Sequence, residues 1–164
     1  MKAINNILKS LAYSNVIVAL SATSLAASTY LYLRFFDLYY LAFVFCSTIF
    51  VYNFARFFEG ESEDFQKSPI TIWHIKHRRW IWISTLMSAS LSLLFAYLSF
   101  DHEKWLLAIL SGGIALSYPL GLRFRGMNIT LKPLRESPGI KLVAIGWVWM
   151  IICGLLPFLD AWHW

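Results

Sequence analysis

Charge is what this sequence has least of. Only 14% of its 164 residues are Asp, Glu, Lys or Arg, where a soluble domain carries about 25%. With 59% hydrophobic residues and a mean hydropathy of +0.59, a water-soluble chain of this size has too little interior to hide its apolar surface. A bilayer removes that difficulty by acting as the apolar solvent. Cysteine is scarce too. Cys46 and Cys153 both lie inside apolar runs, which argues against a disulfide framework and against a zinc site. No Lys, Arg or carboxylate falls deep within any apolar run. Such residues mark ion paths, proton relays and voltage sensors, so their absence argues against a pump or a proton-coupled transporter. Internal repeats and low-complexity stretches are also lacking.

What is present is a set of long apolar runs. Residues 11–33, 38–55, 80–100, 105–122 and 142–159 are uncharged and run from 18 to 23 residues each, close to the ~20 that cross a hydrocarbon core of about 30 Å. Their continuous apolarity excludes barrel strands, which alternate over shorter segments. The first run is too long for the apolar core of a signal peptide, although Lys2 and Lys9 precede it, and is expected to be a retained helix. Ser68-Pro69 and Ser137-Pro138 each read as a serine cap followed by a proline in the first helical position. The expected architecture is a single all-α transmembrane domain over residues 1–164, a polytopic membrane helix bundle of about five transmembrane helices. Those helices are expected at about 11–33, 38–58, 69–100, 105–122 and 138–159, with cytoplasmic loops at about 59–68 and 123–137.

Sidedness follows from the basic residues. With the amino terminus inside, every one of the 14 lysines and arginines except Arg34 and Lys104 faces the cytoplasm, a strong positive-inside bias. The predicted location is a membrane, specifically a bacterial inner (cytoplasmic) membrane with a cytoplasmic amino terminus. The net charge of +5 therefore reads as orientation and phosphate contact, with membrane lipid and not nucleic acid as the partner. Small residues crowd the first run (Ser21, Ala22, Ala26), the third (Ser84, Ser88, Ser92) and the fourth (Ser111, Gly112, Gly113). They predict that these three helices pack against each other, leaving the bulky second helix to face lipid or line an apolar pocket.

Two cytoplasmic segments could carry chemistry. Asn53 and Arg56 end the second helix, and Glu59, Glu61, Glu63 and Asp64 follow. Carboxylates with a carboxamide are hard oxygen ligands suited to Mg²⁺, and Lys67, Lys76, Arg78 and Arg79 nearby could pair with a diphosphate. The other reading is a solvated charged loop. The second segment carries Tyr118-Pro-Leu-Gly-Leu-Arg-Phe-Arg125, then Lys132, Arg135 and Lys141. It reads either as anion recognition or as the positive-inside signal alone. His74 and His77 lack an evident third ligand and read as interfacial histidines rather than a metal pair.

Taken together, these residues resemble the UbiA superfamily of intramembrane prenyltransferases, nine-helix bundles with two aspartate-rich motifs that hold Mg²⁺ and a prenyl diphosphate. The first motif, N-x-x-x-D-x-x-x-D, matches Asn53, has Phe57 at the first aspartate and Glu61 at the second, with Lys67 and Pro69 resembling its basic-proline sequel. The family's Y-P-x-x-K-R matches at Tyr118, Pro119 and Arg123, with Leu122 at the lysine. The resemblance covers nearly all of this chain but about the first half of a family member, and the second aspartate motif has no counterpart here. It implies Mg²⁺ at Asn53 and Glu61, and diphosphate contacts from Asn53, Arg56, Lys67, Arg78, Arg79, Arg123 and Arg125. With Phe57 in place of a metal ligand, the expectation is a protein that binds an isoprenoid or polyprenyl diphosphate lipid without being catalytically competent alone. The alternatives are a Mg-dependent prenyltransferase half completed by a partner subunit or a missing segment, and a non-enzymatic membrane scaffold or small transporter; a homo-oligomer is also open.

Overall fold

The computed structural model describes residues 10–57, 69–117 and 138–162. Seven α-helices account for most of them: α1 (Val16–Leu33), α2 (Leu38–Phe57), α3 (Pro69–Lys76), α4 (Arg78–Ser99), α5 (His102–Ser117), α6 (Pro138–Met150) and α7 (Leu156–Trp162). A π-helical turn, Ile151–Leu155, joins α6 to α7. No strand occurs among the described residues. Among the described residues four segments are long and apolar enough to cross a membrane: α1, α2, α4 and the stretch Leu142–Trp162. The surface agrees with that assignment. Leu25, Leu31, Leu86, Leu93, Leu106, Leu142 and Trp147 are exposed, while Thr85, Ser88, Ser92 and Ser111 are buried. This inversion of the soluble pattern suits a chain solvated by lipid, where small polar residues go to helix interfaces.

Local sequence explains the ends of the helices. Arg34 closes α1 in the left-handed region at φ 57°, its N–H reaching the carbonyl of Leu31, while the N–H of Phe35 reaches Tyr30 at 3.1 Å. The Phe35 ring then lies 5.6 Å from that of Tyr30, so all parts of a Schellman close are present without a glycine. Asp37 caps α2, its Oδ1 accepting from the N–H of Tyr40 at 3.1 Å, and Asp101 caps α5 in the same way through the N–H of Lys104 at 3.1 Å. The helix expected over 69–100 is divided at His77. Its Nδ1–H donates to the carbonyl of Trp73 at 2.9 Å, the carbonyl that also accepts the His77 N–H. The division lies in the backbone of His77, which leaves the helical region at φ −108° and ψ 21°.

The π turn has an equally local cause. Pro157 has no N–H, so the carbonyl four residues earlier, Cys153, loses its donor. Thr29 Oγ1 supplies one at 2.7 Å. The N–H of Leu156 shifts to Ile151, which frees the carbonyl of Ile152 for the Tyr40 hydroxyl. Two hydroxyls from α1 and α2 thus satisfy the carbonyls that the wide turn exposes.

Helix order in the bundle departs from expectation. The principal contacts run through α2, which packs on α1 and α4, so the small-residue helices pack on the bulky one rather than on each other. Ala22 and Ala26 of α1 and Ala96 of α4 join Tyr40, Phe43 and Val44 of α2 in one buried cluster. Small faces opposite large ones fill space better than small against small. The α5–α6 pair closes the remaining side, with α6 leaning on α5 and the π turn touching both α5 and α1.

Candidate functional site

Between α2, α5 and α6 lies a cavity of 410 Å³. One face of α2 supplies Phe43, Ser47, Thr48, Val51, Tyr52 and Arg56, at the i, i+4, i+5 spacing of a helical stripe. Ala108, Ser111, Gly112 and Ala115 come from α5, and Ala144, Ile145, Val148 and Trp149 from α6. Since α6 runs opposite to α2 and α5, Phe43, Ala108 and Ile152 mark one end while Arg56, Ala115 and Ala144 mark the other.

The wall is less polar than its composition suggests. The hydroxyl of Ser47 donates to the carbonyl of Val44 at 3.2 Å, that of Thr48 to the same carbonyl at 2.7 Å, and that of Ser111 to Ala108 at 3.1 Å. Each is satisfied on its own helix and leaves a mostly methyl and methylene surface to the interior. Among the described lining residues, Arg56 at one end carries the charge. An apolar slot with one cation at its mouth has the chemistry of a site for an amphiphile with a single anionic head.

The closed end is aromatic. The ring of Phe43 meets Phe100 edge-on at 4.7 Å and lies 5.9 Å from Tyr40, and Phe100 in turn meets Trp105 at 5.5 Å. Rings braced this way fix the floor of the slot.

The structure distributes the sequence-derived site residues unevenly. Arg56 lines the cavity. Arg78 and Arg79 are exposed in the first turn of α4. Lys67, Glu61, Arg123 and Arg125 lie outside the described residues. Asn53 is 1% exposed: its Oδ1 accepts from Asn15 Nδ2 at 2.9 Å and its Nδ2 donates to Ser84 Oγ at 3.2 Å. Both ends of the amide therefore tie α2 to its neighbours. Phe57, at the position of the motif's first aspartate, stacks on Trp82 of α4 with ring centres 4.2 Å apart. No group of three or more His, Cys, Asp or Glu able to hold a metal occurs among the described residues. Of the two residues the resemblance implies for Mg²⁺, Asn53 has both ends of its amide in helix contacts and Glu61 lies outside the described residues.

His74 stands beside this end of the bundle. Its Nε2–H donates to the carbonyl of Tyr13 at 2.9 Å, and Trp73 meets the Tyr13 ring edge-on at 5.8 Å. Burial, with the nearby charges of Arg56 and His77, holds the His74 pKa below its ordinary 6.5 against the opposing pull of that hydrogen bond.

Comparison with family models, curated proteins and solved structures finds no match for this chain.

Sequence reasoning missed an ionic cluster at the opposite end. Lys104, expected in an outer loop, is 4% exposed and pairs with Asp160, which is 7% exposed. Asp160 also accepts the hydroxyl of Tyr30, and Lys104 Nζ donates to the carbonyl of Ser99 at 3.0 Å. Ser99 Oγ in turn donates to Asp37 at 2.5 Å. The available signal was that opposite charges close the first turn of one run and the last turn of another on the same side.

Proposed function

We propose that this chain is an integral membrane protein of about five spans, amino terminus in the cytoplasm, that binds an isoprenoid diphosphate lipid at its cytoplasmic face. The tail occupies the cavity between α2, α5 and α6, and the diphosphate sits at Arg56, with Arg78 and Arg79 contributing positive potential at the same end. Lys67, Arg123 and Arg125 belong to the loops expected on that side. A bacterial inner membrane and a likeness to the first half of a UbiA-type bundle accompany this reading.

The observation that carries it is the cavity's lining: an apolar wall with hydroxyls satisfied on their own helices, and the Arg56 side chain at one end. A guanidinium matches a phosphate in bidentate geometry, and a mostly apolar wall suits a hydrocarbon. Binding rather than catalysis is the activity proposed, because Asn53 and Phe57 are committed to helix contacts.

Calorimetric titration of the detergent-purified protein with farnesyl diphosphate, with and without Mg²⁺, tests it directly. The expected result is binding that weakens by about tenfold or more in Arg56→Ala, the scale of one lost charge-assisted contact. Binding that persists unchanged in that variant, or none in the wild type, would sink the proposal. A Mg²⁺ requirement abolished by Glu61→Gln would restore the metal to the site.

A further inference from the structure

The short helix α3 divides into two faces at helical spacing. Ile70, Trp73 and His74 are half-buried on one, where His74 donates to the Tyr13 carbonyl and Trp73 meets the Tyr13 ring. Pro69, Ile72, Ile75 and Lys76 are exposed on the other, and Arg78, Arg79 and Trp80 are exposed just beyond. We propose that this elbow between α3 and α4 is a binding surface for the headgroups of anionic phospholipid. The apolar face of α3 rests at the acyl boundary, and Lys76, Arg78 and Arg79 lie on the phosphates. The surface uses neither the cavity nor Arg56, and its test is independent of the reading above.

Two properties of the surface select this occupant. The first is charge. Lys76, Arg78 and Arg79 are close neighbours, and no Asp or Glu occurs anywhere from Pro69 to Ser99, so neither α3 nor α4 offers them a counter-ion. An anionic leaflet does, and it attracts each Lys or Arg held near its surface. The second is continuity with lipid. Ile72 and Ile75 are 58% and 66% exposed, a cost in water that an acyl environment removes. Past the cations, Trp80, Ile83 and Met87 carry exposed apolar surface on into α4, one of the segments able to cross a membrane. An apolar face, adjoining cations and a tryptophan at the start of a span make up the pattern of a helix lying in the headgroup plane.

The positive-inside pattern asks only for basic residues on one side of the bilayer. The elbow has more than that, because its cations adjoin isoleucines that need an apolar medium. It also discriminates between lipids. Two guanidinium forks and an ammonium match phosphate oxygens, but a phosphocholine carries its own cation beside the phosphate and repels a second. A lipid with net negative charge is therefore the better partner. Held in the headgroup plane, α3 in turn holds the residues leading into α1 through the His74–Tyr13 hydrogen bond.

The experiment titrates the full chain in detergent with dioleoylphosphatidylglycerol or dioleoylphosphatidylcholine in mixed micelles and counts bound lipid by native mass spectrometry. The wild type is expected to retain phosphatidylglycerol in preference to phosphatidylcholine. Arg78→Gln combined with Arg79→Gln should reduce that preference by about fivefold for each charge removed. Arg34→Gln, exposed at the opposite end of the bundle, should leave it unchanged. Ile72→Ser combined with Ile75→Ser should weaken retention of both lipids alike. Equal retention of the two lipids by the wild type would overturn the proposal, as would an Arg34→Gln effect as large as that of the elbow arginines. Lipid retention untouched by the serine pair, with a lower unfolding temperature, would show that the chain itself covers this face and would also overturn it. Displacement of the lipid by inorganic diphosphate, where sodium chloride of equal ionic strength displaces none, would make this a site for a free anion and rule out the lipid surface.

Discussion

The ammonium of Lys104 meets the carboxylate of Asp160 in a buried ion pair that joins the first turn of α5 to the last turn of α7. Neither partner faces solvent, and the second carboxylate oxygen is occupied by the Tyr30 hydroxyl. Removing Lys104 leaves the Asp160 charge buried without a cation, which costs about 3–5 kcal/mol. Removing Asp160 leaves Lys104 only Asp101 at 3.7 Å, and replacing both by apolar groups is often neutral. Lys104→Met and Asp160→Leu should each lower the unfolding temperature in detergent sharply. The double variant should recover most of the loss. Additive losses would show that the pair is not coupled.

The π turn makes a separate prediction. Thr29 donates to the Cys153 carbonyl because Pro157 cannot. Thr29→Val should therefore destabilise by about 0.6–1.7 kcal/mol, the range for hydrogen bonds within membranes. In a Pro157→Ala background the new N–H can serve that carbonyl, so the same substitution should cost less. Thermal unfolding of the four proteins in this cycle reads the coupling; equal losses in both backgrounds would refute the compensation.

Asn53 offers a third test. Its amide accepts from Asn15 and donates to Ser84, so Asn53→Ala leaves buried partners unmet at a cost of about 1–3 kcal/mol. Asn15→Ala should be strongly non-additive with it in thermal unfolding. The fraction that stays folded should bind farnesyl diphosphate as the wild type does, since Asn53 does not line the cavity. Loss of binding at unchanged stability would instead make Asn53 a ligand contact.

Acid should weaken the protein through His74. Its folded pKa is depressed below the ordinary 6.5, so above 6.5 it is neutral in both states and costs nothing. As pH falls through that value the unfolded chain takes the proton first, and stability drops until the folded pKa is reached. Unfolding temperature should accordingly fall as the pH drops below the ordinary 6.5 in the wild type and fall less in His74→Gln. Identical pH profiles would remove His74 from the account.

Much of the bundle was legible in the sequence because lipid imposes a simple rule: long uncharged runs become helices. The runs at 11–33, 38–55 and 80–100 contain or coincide with α1, α2 and α4. Less legible was how the helices meet. Small residues in α1 and α4 pointed to close helix contacts, but not to Tyr40 and Phe43 of α2 as the surfaces they contact. The divided helix lies in the backbone of His77 and the π turn before Pro157 depends on one side-chain hydrogen bond from Thr29, neither of which periodicity reveals. For the site, Arg56 was singled out from the sequence and lines the cavity, while the slot itself depends on three helix faces that converge only in space. Asn53 was read from a motif as a ligand position, although its role in the fold is visible in its two partners, Asn15 and Ser84.

Those two partners have a mechanical consequence. Asn53 binds α1, α2 and α4 together at the Arg56 end, and among the described residues that link does not reach α5 or α6. Those helices are held instead from the far end, where Lys104 meets Asp160 and Tyr30. The molecule is thus built like a pair of tongs: a stiff three-helix jaw, a second jaw of α5 and α6, and an ionic rivet joining them at the closed end. Any parting of the jaws is thus widest at Arg56 and smallest at Phe43, the two ends of the cavity lining on α2.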